Sequence, residues 1–129
     1  MTIKGIGIDI ISISRMEDAI ENAGTYFLNR VFTPWEQENS ERHGGLFTYY
    51  AVRFAGKEAI FKAFGTNWST GIEFTEIEIR EGRFGEPTPV LSGRFAEMAE
   101  ERGTNSVLLS LSYDGDYAIA VATLVADAQ

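Results

Sequence analysis

Cysteine is absent from the 129-residue sequence, which excludes a disulfide framework, a zinc–thiolate site and a cysteine nucleophile. Histidine occurs once, as His43 in a polar His-Gly-Gly run, where a solvated side chain explains it better than a catalytic one. No apolar run approaches the roughly 20 residues of a membrane span, and the first residues lack a signal-peptide pattern. No membrane partner is therefore expected, and cytoplasmic residence is. Positive charge is scarce: 11 Lys and Arg against 19 Asp and Glu leave a formal charge of −8. That balance disfavours a nucleic-acid binder, which needs a positive field. There is no internal repeat, low-complexity tract or linker, so residues 1–129 read as one domain.

What is present is a soluble globular composition, 44% hydrophobic and 23% charged, with readable punctuation. The opening Ile3 to Ile11 is β-branched, with Ile6, Ile8 and Ile10 alternating, and predicts a strand that buries this isoleucine face. Asp9 falls on the opposite face. Ser14 and Glu17 resemble a capping box, Met16, Ala19, Ile20 and Ala23 follow at helical spacing, and Gly24 marks a stop. Thr33, Pro34 and Glu36 form a second start signal, for a helix fading at His43-Gly44-Gly45. The longest helical pattern runs from Leu46 to Phe64 and ends at Gly65. A strand is expected near 74–80, a turn-rich excursion over 82–89 and a helix over 93–102. Val107–Ser112 and Tyr117–Val125 then form a hairpin through Asp114-Gly115. Asp114 and Asp116 also suggest a metal site, but the turn accounts for the Asp-Gly pair. Mixed helices and mainly antiparallel strands predict an α+β fold around a long central helix.

The segment 53–62 concentrates the scarce positive charge, with Arg53, Lys57 and Lys62 against one acid, Glu58. At about 100° per residue, Phe47, Tyr50, Ala51, Phe54, Phe61 and Gly65 share a face, and Glu58 falls within it. A carboxylate among aromatic rings is costly unless a cation satisfies it. Two readings stand: an ordinary Glu58–Lys62 pair at the stripe's edge, or a metal ligand. Asp9 poses the same choice between solvent and metal. Magnesium takes one or two carboxylates plus water and phosphate oxygens, so two acids suffice.

The order of motifs is more specific than any one of them. Gly5-Ile6-Gly7-Ile8-Asp9 resembles the first motif of the holo-acyl-carrier-protein synthases, which are 4'-phosphopantetheinyl transferases. Phe32-Thr33-Pro34-Trp35-Glu36 is similar to the family's phenylalanine-threonine-x-x-glutamate stretch. The run from Arg53 to Thr66 resembles its signature helix almost throughout, and Glu76–Ile79 and Gly85-Glu86-Pro87 follow in family order.

The resemblance implies transfer of 4'-phosphopantetheine from coenzyme A to a serine of an apo acyl carrier protein, releasing 3',5'-ADP. It gives magnesium to Asp9 and Glu58, and catalysis to Glu58 and Lys62. Glu58 would deprotonate the serine directly or through a metal-bound water. Coenzyme A contacts fall to Arg53, Lys57, Lys62, Gly65, Thr66, Pro87, Ser112 and Tyr113. The Gly65-Thr66 turn also has an ordinary role as a helix stop. Where this chain has Ser112-Tyr113 the family usually has serine then histidine. Tyr113 donates a hydrogen bond but carries no positive charge near neutral pH, which predicts weaker coenzyme A binding or a catalytically weak binder. The resemblance further implies a homotrimer with active sites between subunits and the first helix facing the carrier. An acidic carrier would be repelled by a chain of −8 unless Arg15 and Arg30 make a local basic patch; the plain alternative is that Arg15 pairs with a neighbouring acid.

Overall fold

The computed structural model describes residues 1–40, 45–66 and 71–127; His43 lies outside them. In chain order the elements are β1 (Thr2–Ser12), α1 (Ile13–Val31), α2 (Pro34–Glu38), α3 (Leu46–Ala63), a short 3-10 turn (Phe74–Glu76), β2 (Ile77–Glu81), β3 (Pro87–Leu91), α4 (Gly93–Glu101), β4 (Ser106–Asp114) and β5 (Tyr117–Ala126). Strands β1, β5 and β4 form an antiparallel sheet in that spatial order, and β2 pairs with β3 in a separate hairpin. The fold is α+β, with α3 at its centre.

The face of β1 that turns inward is the reverse of the one the alternation predicts. Ile6, Ile8 and Ile10 are 66%, 56% and 58% exposed, whereas Gly5, Gly7, Asp9 and Ile11 lie toward α3. The helix backbone decides this. A Cβ added to Gly7 would stand 2.1 Å from the Ala59 carbonyl oxygen, and one on Gly5 2.2 Å from that of Ala63. Only glycine admits so close an approach of strand to helix, so isoleucine is pushed to the outer face. Gly7→Ala should therefore cost at least the 1–3 kcal/mol typical of overpacking, because the clashing atoms are backbone and β1 must lift off α3. Thermal unfolding reads this directly; a variant as stable as the parent would mean that β1 does not sit so close.

Helix α3 is buried nearly all round rather than along one aromatic stripe. Tyr49 to Arg53, Ala55 to Lys57, Ala59 to Phe61 and Ala63 are all buried, and Phe54, Glu58 and Lys62 mark its more open side. Its inner residues pack on Ala120, Ala122 and Leu124 of the sheet, on Ile77 and Ile79 of β2, and on Phe95, Met98 and Ala99 of α4. A second cluster joins Met16 and Val31 of α1 to Phe32, Tyr49, Tyr50 and Val52.

Four boundaries differ from the sequence expectation. Ser12, not Ser14, caps α1, its hydroxyl accepting from the Arg15 amide. Gly24, at φ 54°, breaks α1 as expected, but a second run continues to Val31. Prolines 87 and 89 hid β3, which is tolerated because a two-stranded hairpin has only edge strands. Thr33, Pro34 and Glu36 do form the capping box of α2, which ends at Glu38, short of His43.

Candidate active site

Asp9 and Glu58 come together where β1 passes beneath the open side of α3. Asp9 faces Ala120 across the β1–β5 ladder, on the inward side of the strand. Its Oδ1 accepts a 2.9 Å hydrogen bond from the Lys62 ammonium, which also donates to the Ile8 carbonyl at 3.1 Å. Its Oδ2 is buried and has no hydrogen-bond partner. An orphaned carboxylate oxygen at such a place is costly, by roughly 1–3 kcal/mol or more for a charged group, and calls for a cation.

Glu58 supplies the second acid. Half-burial pushes its carboxyl above the usual glutamate range, the negative charge of Asp9 pushes it further, and Lys62 partly offsets both. Lys62 is itself held above the usual lysine range, first by its hydrogen bond to Asp9. The ammonium thus bonds Asp9 and the Ile8 carbonyl rather than making a simple helical pair with Glu58. Among the described residues no group of three or more His, Cys, Asp or Glu could hold a metal ion, which argues against a closed, all-protein metal cage. Two acids with one orphaned oxygen fit a magnesium ion that takes its remaining ligands from water and substrate phosphate.

Two expected phosphate ligands, Lys57 and Arg53, are buried and engaged within the fold. Lys57 is 0% exposed and its ammonium is fully engaged: 2.6 Å to the Val31 carbonyl, 2.7 Å to Glu36 Oε1 and 3.2 Å to the Phe74 carbonyl. Burial pushes its pKa down, against the pull of Glu36. Glu36 in turn accepts from the Thr33 and Ile79 amides at 2.9 and 2.8 Å. Lys57 is thus a tie between α3, α2 and β2. Arg53, 5% exposed, stacks 3.8 Å over the Tyr49 ring, donates from Nε to the Ile79 carbonyl and faces Glu81 at 3.6 Å. It too is spent on packing.

The Gly65-Thr66 turn is likewise engaged: the Gly65 amide donates to the Lys62 carbonyl and the Thr66 amide to that of Phe61, closing α3. These amides are not available to a phosphate. Pro87 opens β3 opposite Glu81. Ser112 and Tyr113 are exposed near the end of β4, with Tyr113 paired to Ala118 beside Ile11. None of these three is hydrogen-bonded to Asp9 or Lys62.

The first helix carries the other surface of interest. Arg15, in its first turn, has no ion pair among the described residues, which removes the plain alternative for it. It borders an open groove of about 650 Å³ whose apolar lining includes Ile10, Ile11, Met16, Ala19, Phe27 and Phe54. Arg30, at the far end of α1, lies over the Tyr26 ring and donates to its hydroxyl at 3.2 Å. Sequence reading missed Glu36 as the buried counter-ion of Lys57, and it weighed Asp116 only with Asp114 as a metal site, not as a partner of Ser12 and Ser14. Spacing held no signal for either long-range contact. No helix among the described residues is long and apolar enough to cross a membrane.

Comparison with known proteins agrees with this geometry. The chain is 44% identical over 123 residues to a holo-[acyl-carrier-protein] synthase of Desulforudis audaxviator, covering 95% of this chain and 93% of that protein. The crystal structure of holo-[acyl-carrier-protein] synthase from Neisseria meningitidis superposes with a TM-score of 0.88 at 33% identity, over 96% of this chain and 99% of the other. That of the Helicobacter pylori synthase in complex with coenzyme A superposes with a TM-score of 0.82 at 31% identity, over 93% and 99%. The model of the 4'-phosphopantetheinyl transferase superfamily matches residues 5–122, and the chain belongs to that superfamily.

Proposed function

We propose that this protein is a holo-acyl-carrier-protein synthase, moving 4'-phosphopantetheine from coenzyme A to a serine of an apo acyl carrier protein. The observation that carries the reading is the buried, unpartnered Asp9 Oδ2 beside Glu58, in a chain whose relatives bear that name. Asp9 and Glu58 would hold magnesium, which when bound neutralises the pyrophosphate and polarises the phosphorus under attack. Glu58, with its raised proton affinity, accepts the proton of the carrier serine. The serine oxygen bonds to the pantetheine-side phosphorus as the bond to the departing 3',5'-ADP breaks. Lys62, exposed and already beside Asp9, can pivot to meet the charge on that leaving group.

The outer face of the large sheet supports the trimer expectation. Ile6, Ile8 and Ile10 lie beside Val121 of β5 and Leu108 of β4, all exposed, an apolar patch of the kind that marks a subunit interface. Coenzyme A ligands from a neighbouring copy would also replace the phosphate contacts that buried Lys57 and Arg53 do not offer. Such a site would leave Pro87, Ser112 and Tyr113 to act across the interface. Light scattering should give three times the chain mass; a monomer would sink the shared site.

Charge and shape favour α1 as the carrier's landing point: Arg15 at the rim of an apolar groove suits an acidic, amphipathic partner, with Arg30 further along. All of these reactants are soluble, which fits a cytoplasmic setting. The test is incubation with coenzyme A, magnesium and an apo carrier protein, read by intact mass. One phosphopantetheine added per carrier is expected. No addition, with coenzyme A still bound, would support the weak-binder reading that Tyr113 suggests.

That reading has its own check in Tyr113→His. Coenzyme A affinity should rise in this variant, most clearly below the histidine pKa of about 6.5, where the imidazole is charged. If it binds no better at any pH, the tyrosine is no deficit.

A further inference from the structure

The start of α1 is held from outside the helix. Asp116, just past the Asp114-Gly115 turn of the β4–β5 hairpin, receives four hydrogen bonds from this segment. Its backbone carbonyl accepts from the Ile13 amide at 2.7 Å, and its Oδ1 from the Ser14 amide at 2.8 Å. Its Oδ2 accepts from the Ser12 hydroxyl at 2.6 Å and from the Ser14 hydroxyl at 2.9 Å. By contrast the helix's own cap, the Arg15 amide to the Ser12 hydroxyl, is long at 3.3 Å. No acid lies in the first turn of α1, so the positive end of the helix dipole is met by a carboxylate from the other end of the chain. These bonds hold the Asp116 carboxyl below the usual carboxylate range, so it is ionised at neutral pH.

What the clamp positions is the groove. Arg15, Met16 and Ala19 on one side and Asp116 and Tyr117 on the other are fixed relative to each other through these bonds. We propose that Asp116 is a positioning residue for carrier-protein docking: its hydrogen bonds to Ser12 and Ser14 hold the first turn of α1 so that Arg15 and the groove present one geometry. The inference rests on the docking role proposed for α1. It also opposes the effect of charge. Removing an acid from the rim should, by Coulomb attraction alone, improve binding of an acidic carrier. A positioning role makes the same substitution harmful.

Steady-state transfer assays on Asp116→Ala, Asp116→Asn and Arg15→Glu separate these effects. Asp116→Ala should raise the apparent KM for carrier protein about fivefold, the whole effect of a lost helix cap, with the KM for coenzyme A within about twofold of the parent. Asp116→Asn keeps an acceptor for the Ser14 amide and should recover most of the loss. Amide exchange at Ile13 and Ser14 should quicken in the alanine variant and much less in the asparagine one. An unchanged or lowered carrier KM in Asp116→Ala overturns the proposal, as does an equal rise in both KM values. So does an asparagine variant as poor as alanine. If Arg15→Glu also leaves the carrier KM unchanged, the docking role itself has failed. If Arg15→Glu raises it while Asp116→Ala does not, only the positioning role is lost.

Discussion

Lys57→Met should leave the protein about 3–5 kcal/mol less stable, the usual result of removing one partner of a buried ion pair. Both side chains of the Lys57–Glu36 pair are 0% exposed. Without the ammonium, the Glu36 carboxylate keeps its bonds from the Thr33 and Ile79 amides but loses its only counter-charge in the ion pair. The Val31 and Phe74 carbonyls, which also accept from Lys57, lose a donor. Glu36→Gln combined with Lys57→Met should recover a good part of this, because no net charge is then buried. Urea unfolding at fixed protein concentration measures both, which matters if subunits associate. A single variant within about 1 kcal/mol of the parent would show that the pair contributes little. It would also reopen a phosphate-binding role for Lys57, which now has no surface to offer one.

The pair shows where reading the sequence stops. Thr33, Pro34 and Glu36 announce a capping box, and the box is there, but only one Glu36 oxygen is used for the cap. The other meets Ile79, and the bond to Lys57 spans 21 residues, a contact that no local pattern encodes. The positive charge concentrated at Arg53, Lys57 and Lys62 suited the phosphate contacts that the family resemblance implied. The tertiary fold buries Arg53 and Lys57 and leaves Lys62 exposed. Strand β1 makes the complementary point. Period-two alternation tells which residues share a face, not which face is covered, and the glycines between the isoleucines held that information. They admit the α3 backbone at a distance no side chain allows. The Asp-Gly turn of the β4–β5 hairpin and the extent of α3 were legible because their signals are local. Asp9 and Glu58 were legible as odd acids, and their meeting required the fold.

Asp9→Asn should lower magnesium-dependent transfer by at least about 100-fold, since loss of an outer-shell partner alone typically costs 10- to 100-fold and Asp9 is assigned as a direct ligand. The variant should nevertheless fold. Its amide oxygen can still accept from Lys62 in the place of Oδ1, which now receives that bond at 2.9 Å. Its amide nitrogen would replace Oδ2, the buried oxygen without a partner, and the negative charge that raises the Glu58 carboxyl is removed. A repulsive pair of acids thereby becomes one acid and a neutral amide. Stability should stay within about 1 kcal/mol of the parent, because the relieved repulsion offsets the weakened, half-exposed Asp9–Lys62 ion pair. Activity falling while stability holds is the mark of a site kept strained for its chemistry. Glu58→Gln should behave similarly, and calorimetric titration should show weaker magnesium binding in both. Near-parental transfer with unchanged magnesium dependence in Asp9→Asn would remove Asp9 from the metal site. A large loss of stability would instead mean that the Asp9–Lys62 pair ties β1 to α3 for the sake of the fold.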